Sequence, residues 1–195
     1  MAYIANTAFE VRVSNHEFDS VANITGKFQN STPADEICSA GFLCKRVALI
    51  DNEGYPAGTK NGNTWTMQAG EATDILYAAN PHNVNEVTDP VSGNVYKVNR
   101  ETLGLPIPAG VEDTFTLIRA DGTHIYRFGV GNLTTTLGAN GYLTCGETTN
   151  KGLMVPAAAA PDAGSGIYFK VLGTGTFTQG AYAGFGYVDA LALKA

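Results

Sequence analysis

A chain of 195 residues, 44% apolar and only 15% charged, is long enough to bury a real core and too poor in charge to be disordered. Its formal net charge of −6 comes with no basic run, Lys45-Arg46 being the only adjacent basic pair, which excludes the clustered footprint of a protein that coats DNA or RNA. MAYIANTAFEVRV lacks the basic and apolar regions of a secretory signal, and no apolar stretch approaches the roughly 20 residues that cross a bilayer.

In chain order, residues 1–44 read as an N-terminal arm, an irregular lead-in to the rest. TAFEVRV alternates enough for a short strand from Thr7 to Val13, after which no period of either kind is sustained. STPADE offers Thr32 as an N-cap, Pro33 at the first helical position and Asp35 and Glu36 in the first turn, enough for one or two turns of helix before Gly41. An arm of this kind cannot bury its own aromatics. They pack either on the chain's own domain or on a neighbouring subunit, and Tyr3, Phe9, Phe18 and Phe28 are the candidate assembly contacts.

Residues 45–195 read as a β domain; a subdivision near 106–110 and one continuous domain are both consistent with the sequence. Short β-like runs recur between turn signals: RVALID before DNEG, NTWTMQ after KNGN, TDILYAA before NPHN, and NVYKV after DPVSGN. LGLPIPAG, with two prolines, fits a connector or edge rather than a central strand. In DTFTLIRADGTHIYRFG, the runs TFTLI and THIYRF flank RADG and predict a hairpin. Phe115 and Leu117 share one face of the first strand; Ile125 and Arg127 alternate with His124, Tyr126 and Phe128 in the second.

Beyond residue 128 charges become sparse, and YLTCGE, GLMVPA, GIYFKVL, GTFTQ and AGFGYVDALAL read as strands joined by glycine turns. PAAAAPDAG, bounded by prolines, is a loop. No segment sustains helical amphipathicity over three turns. The expected fold is therefore all-β, a compact barrel or sandwich of short antiparallel strands with an extended N-terminal arm.

The sequence offers no clear chemistry. Gly173, Gly175 and Gly180 have the wrong spacing for a dinucleotide fingerprint and stand among strand formers, so no phosphate cradle is expected. Cys38, Cys44 and Cys145 do not give paired zinc spacing, and His16, His82 and His124 are dispersed. The thiols are expected to be reduced and buried as small hydrophobes. No G-x-S-x-G elbow, paired catalytic carboxylates or calcium loop occurs. No catalytic, cofactor-binding or metal-ligating residue is assigned. Aromatics on strands, with Trp65 the one tryptophan, leave a glycan platform as the alternative to core packing.

The second half, roughly residues 94–195, resembles small bacteriophage head proteins of the decoration or auxiliary kind. The resemblance runs through GNVYKV, LGLPIPAGVEDTFTLI, GYLTCGETTNKGLMVPA and GIYFKVLGTGTFTQGAYAGFGYVDALAL. It implies a virion structural protein, not an enzyme, made in the host cytoplasm and located on the capsid. It would bind the major capsid protein and copies of itself as a homo-oligomer through its arm and β edges, with no direct nucleic acid, no membrane and no cofactor. The alternative is a glycan- or receptor-binding β module, such as a head- or tail-fibre component.

Overall fold

The computed structural model describes residues 7–13, 22–32, 34–51, 56, 58–81, 85–88, 95–98, 106–178 and 183–195. The fold is all-β. Its strands are β1 (Phe9–Val13), β2 (Asn23–Phe28), β3 (Leu43–Asp51), β4 (Lys60–Ala69), β5 (Tyr77–Ala79), β6 (Asn85–Thr88), β7 (Val95–Val98), β8 (Glu112–Leu117), β9 (Ile125–Gly129), β10 (Tyr142–Cys145), β11 (Met154–Ala157), β12 (Ile167–Thr176) and β13 (Gly186–Lys194). Short 3-10 turns occupy Val130–Asn132 and Thr148–Asn150. Among the described residues no helix is long and apolar enough to cross a membrane.

Two β systems share the chain. A closed barrel runs in the order β2-β4-β3-β5-β8, and a six-stranded sheet in the order β1-β9-β13-β12-β10-β11. β6 and β7 form a separate antiparallel pair. The sheet is antiparallel throughout, whereas in the barrel β2 runs parallel to β4, a departure from the expected antiparallel pattern.

The barrel core contains Phe28, Phe42, Cys44, Met67, Tyr77, Ala79, Ile107 and Phe115. β2 explains why sequence periodicity overlooked it. Ile24 and Phe28 pack inward as a strand requires, but the residue between them on that face is Gly26. A Cβ there would lie 2.4 Å from Cγ of Met67 and 3.0 Å from the Phe115 ring, so the glycine makes room for two core side chains. Phe28 meets Phe42 edge-on at 5.6 Å between centroids.

The second core lies between one face of the sheet and the barrel. Phe9, Tyr126, Phe128, Leu143, Phe169, Val188, Ala190 and Ala192 come from the sheet; Leu43, Leu76, Ala78 and Ile118 come from the barrel side. Backbone hydrogen bonds cross the joint, from Leu43 N–H to the Gly152 carbonyl (2.8 Å) and from Ile167 N–H to the Ala72 carbonyl (2.8 Å). Asn132 has no exposed surface: its amide donates to the Ala40 carbonyl at 2.7 Å and its Oδ1 accepts from the Ala8 N–H at 3.2 Å. One side chain thus ties the approach to β1, the segment before β3 and the turn after β9.

Several expectations are corrected by this arrangement. Over its described residues, the 1–44 segment packs on the chain's own domain, one of the two expected placements, but as paired strands rather than an irregular lead-in: β1 is an edge of the sheet, β2 is a barrel strand, and Cys38, Ala40 and Phe42 are buried. The STPADE segment forms no helix over its described residues. Asn30 Oδ1 accepts from the Thr32 hydroxyl and the Ala34 N–H, and Gln29 bridges Asp35. A side chain that satisfies backbone donors in a turn competes with helix formation.

β8 and β9 are not a hairpin. β8 pairs with β2 and β5 in the barrel, and β9 pairs with β1 and β13 in the sheet. RADG therefore carries the chain from one system to the other, with Gly122 at φ +76° and the Tyr126 hydroxyl accepting from the Arg119 N–H at 2.8 Å. The passage falls at 118–124, beyond the 106–110 connector. In the tail, the expected strands GIYFKVL and GTFTQ both overlap one long strand, β12, which ends at Thr176 and pairs antiparallel with β13.

Candidate functional site

The outer face of the six-stranded sheet carries the candidate site. Strand alternation sends Tyr126 and Phe128 into the core and turns Ile125 and Arg127 outward. Register then places Glu10, Arg127 and Asp189 in one row across β1, β9 and β13. Arg127 Nε donates to Asp189 Oδ1 and Nη2 to Oδ2, each at 2.7 Å, a bidentate charge-assisted pair. Glu10 Oε2 lies 3.9 Å from Nη1 on the other side. The Asp189 hydrogen bonds are the main reason the guanidinium pKa is raised above its ordinary value.

Aromatic rings complete the cluster. The Arg127 guanidinium carbon lies 3.5 Å from the Tyr187 ring centroid and 5.9 Å from that of Phe177, and the two rings are 5.1 Å apart. Tyr187 can occupy this place because its cross-strand partner is Gly175. A Cβ on Gly175 would come within 2.6 Å of the tyrosine ring, while Gly173, opposite Asp189, has open space around its would-be Cβ. Of the three glycines read in the tail, Gly173 and Gly175 are therefore strand glycines, one seating an aromatic ring, and Gly180 lies outside the described residues.

Beside this cluster the same face becomes apolar. Ile125, Leu191, Lys170, Tyr142 and Ala157 form the next row; Leu193, Tyr168, Thr144 and Val155 form another. Apart from the exposed Lys170, these side chains are half-buried, and Tyr142 and Tyr168 lie 6.2 Å apart at 46°. Leu172, beside a bulge in β12, is 49% exposed.

Other polar groups are engaged locally. Buried His124 places Nδ1 3.1 Å from Asp121 Oδ1 and 3.0 Å from the Thr123 hydroxyl. Burial works to raise the Asp121 pKa, but hydrogen bonds from His124 and Thr123 outweigh it and hold the carboxyl well below its usual range. A cleft of about 560 Å³ opens between barrel and sheet, with Asp74, Ile75, Arg119, Asp121 and Lys194 on its walls. Arg46 lies over Trp65 at 4.7 Å, so one face of the tryptophan is covered. Among the described residues, no group of three or more His, Cys, Asp or Glu is placed to hold a metal ion.

Of the sequence-derived contacts, Phe9 and Phe28 are 2% and 3% exposed and belong to the two separate cores. They are corrected from interface to core residues, because β1 and β2 are paired strands whose apolar faces the chain covers itself. Tyr3 and Phe18 lie outside the described residues. Glu10, Arg127, Tyr187 and Asp189 carry no local sequence motif of a site. The alternation in THIYRF marked Arg127 as facing away from Tyr126 and Phe128, but no local pattern links it to a partner 62 residues away.

No family model matches the chain, and no curated protein or solved structure matches it.

Proposed function

We propose that this chain is a virion structural protein of the decoration, cement or minor head kind. It binds a capsid lattice, through the major capsid protein and copies of itself, and acts by burying surface rather than by catalysis. The observation that carries this reading is the outer sheet face, where half-buried Ile125, Leu191, Leu193, Tyr142, Tyr168 and Val155 flank a clamped ion pair. A contiguous apolar face of this composition suits association, with aromatic and aliphatic groups at the centre and polar groups at the rim. With Phe9 and Phe28 spent in the cores, docking is assigned to this face and to the sheet edges β1 and β11.

The test is quantitative mass spectrometry on purified particles from the virus that encodes the chain. A fixed ratio to the shell subunit is expected. Particles purified to homogeneity without the chain would refute the proposal. A Tyr142→Glu/Leu191→Glu variant should keep the β fold and fail to join the particles. A second reading, a glycan- or receptor-binding module, draws on the half-buried Tyr142–Tyr168 pair. Glycan binding lost on Tyr168→Ala, with no incorporation into particles, would favour it.

A further inference from the structure

Cys38 and Cys44 lie in the barrel core with no exposed surface, and their sulfurs are 3.9 Å apart. The chain reverses between them, with Gly41 at φ +74° and the Phe42 N–H donating to the Ser39 carbonyl at 3.1 Å. Both ends of the reversal are fixed by backbone pairing. Cys38 exchanges two hydrogen bonds with Ile107, at 3.0 and 2.7 Å, and Cys44 pairs with Ala69 and Tyr77. The sulfurs face each other because the fold holds them there.

Two sulfurs alone do not make a zinc site, and among the described residues no third ligand joins them. A disulfide needs an S–S distance of about 2.05 Å, so the pair must close by about 2 Å. Cys145 belongs to the other core, where its thiol donates to the Ile167 carbonyl at 3.4 Å.

We propose that Cys38 and Cys44 are a redox pair that closes to an intramolecular disulfide at the expense of a glutathione-type disulfide, leaving Cys145 free. One cysteine, as thiolate, attacks a sulfur of the oxidant, forming a mixed disulfide and expelling one thiolate. The second cysteine thiolate attacks the protein sulfur of that mixed disulfide, forming the Cys38–Cys44 bond and expelling the other thiolate. The two cysteine protons end on the two expelled thiolates, and two electrons pass from the protein to the oxidant. Burial pushes the Cys44 thiol well up, which disfavours its thiolate in the closed barrel. The bond therefore forms as the chain folds or when the barrel opens locally.

The bond would staple a segment that already joins both cores: the Ala40 carbonyl accepts from Asn132, Gly41 N–H donates to Ala79 and Leu43 N–H to Gly152. The test refolds the full chain in a buffer of oxidised and reduced glutathione, then counts thiols under denaturing conditions and maps peptides without reduction. One free thiol, at Cys145, and a Cys38–Cys44 linked peptide are expected. Three free thiols, stable mixed disulfides, or any linkage that includes Cys145 would overturn the proposal. The closed form should also melt about 5 °C higher than the same protein after reduction. Cys145→Ser should keep the rise and Cys38→Ser should lose it. If Cys38→Ser does not fold, the thiol count on the unaltered chain decides.

Discussion

Arg127 on β9 and Asp189 on β13 share two hydrogen bonds of 2.7 Å across adjacent strands, with the Tyr187 ring stacked 3.5 Å from the guanidinium. Only 11% of the arginine side chain and 24% of the aspartate side chain are exposed. In water such a pair contributes little, but here both charges are partly desolvated and each depends on the other. Arg127→Ala should therefore cost about 2–3 kcal/mol of unfolding free energy, since it leaves Asp189 without its main partner. Chemical denaturation of both single variants and the double variant should give a coupling energy of about 1–3 kcal/mol. Additive losses would show that the pair holds nothing together.

Gly175 and Gly173 make a matched comparison on one strand. Gly175→Ala sets a methyl group against a Tyr187 ring held in place by Arg127, and should cost about 1–3 kcal/mol. Gly173→Ala meets open space and should be neutral or stabilise by about 0.5 kcal/mol, because alanine loses less backbone freedom on folding. Thermal melts of the two variants separate the seat for the ring from a general glycine preference in the tail.

Asn132 is the buried polar tie between sheet and barrel. Asn132→Leu leaves the Ala8 N–H and the Ala40 carbonyl unpaired where water has no access, at a cost of about 2–4 kcal/mol. Hydrogen exchange should show lost protection at Ala8 and around Gly41 before the barrel strands are affected.

Tyr126 supplies an alkaline signature. Burial raises its pKa from 10.0 to about 12, while the hydrogen bond from the Arg119 N–H works the other way. The folded state therefore holds the phenolic proton more tightly than the unfolded chain. The stabilisation is fully present below pH 10 and is lost as pH rises towards 12, by about 1.4 kcal/mol per unit. Denaturation midpoints measured from pH 8 to the alkaline limit should show Tyr126→Phe losing less stability than the parent chain. Parallel curves would remove Tyr126 as the cause.

Much of the strand content was legible because alternation and turn residues are local. The runs NTWTMQ, NVYKV, YLTCGE and AGFGYVDALAL each contain or overlap a strand, and GIYFKVL and GTFTQ both overlap β12. β2 was missed where Gly26 stands on its inward face, since a residue chosen for lack of volume leaves no apolar mark. The Thr32 helix start failed because Asn30, two residues earlier, takes over the donors of the turn.

What the sequence determined by itself is the class: an all-β chain, with Tyr126 and Phe128 on one face of a strand and Arg127 on the other. Which strands are neighbours was decided only in three dimensions. TFTLI and THIYRF each had a satisfactory partner in the other, yet β8 closes a barrel with β2 and β5 while β9 enters the sheet between β1 and β13. The physical reason is that hydrogen bonding makes any two strands acceptable to each other, so side-chain volume chooses between pairings. Phe115 fills the barrel beside Met67 and Gly26, and Tyr126 and Phe128 fill the second core against Phe9. The same choice brought Arg127 to Asp189, and with it the candidate site.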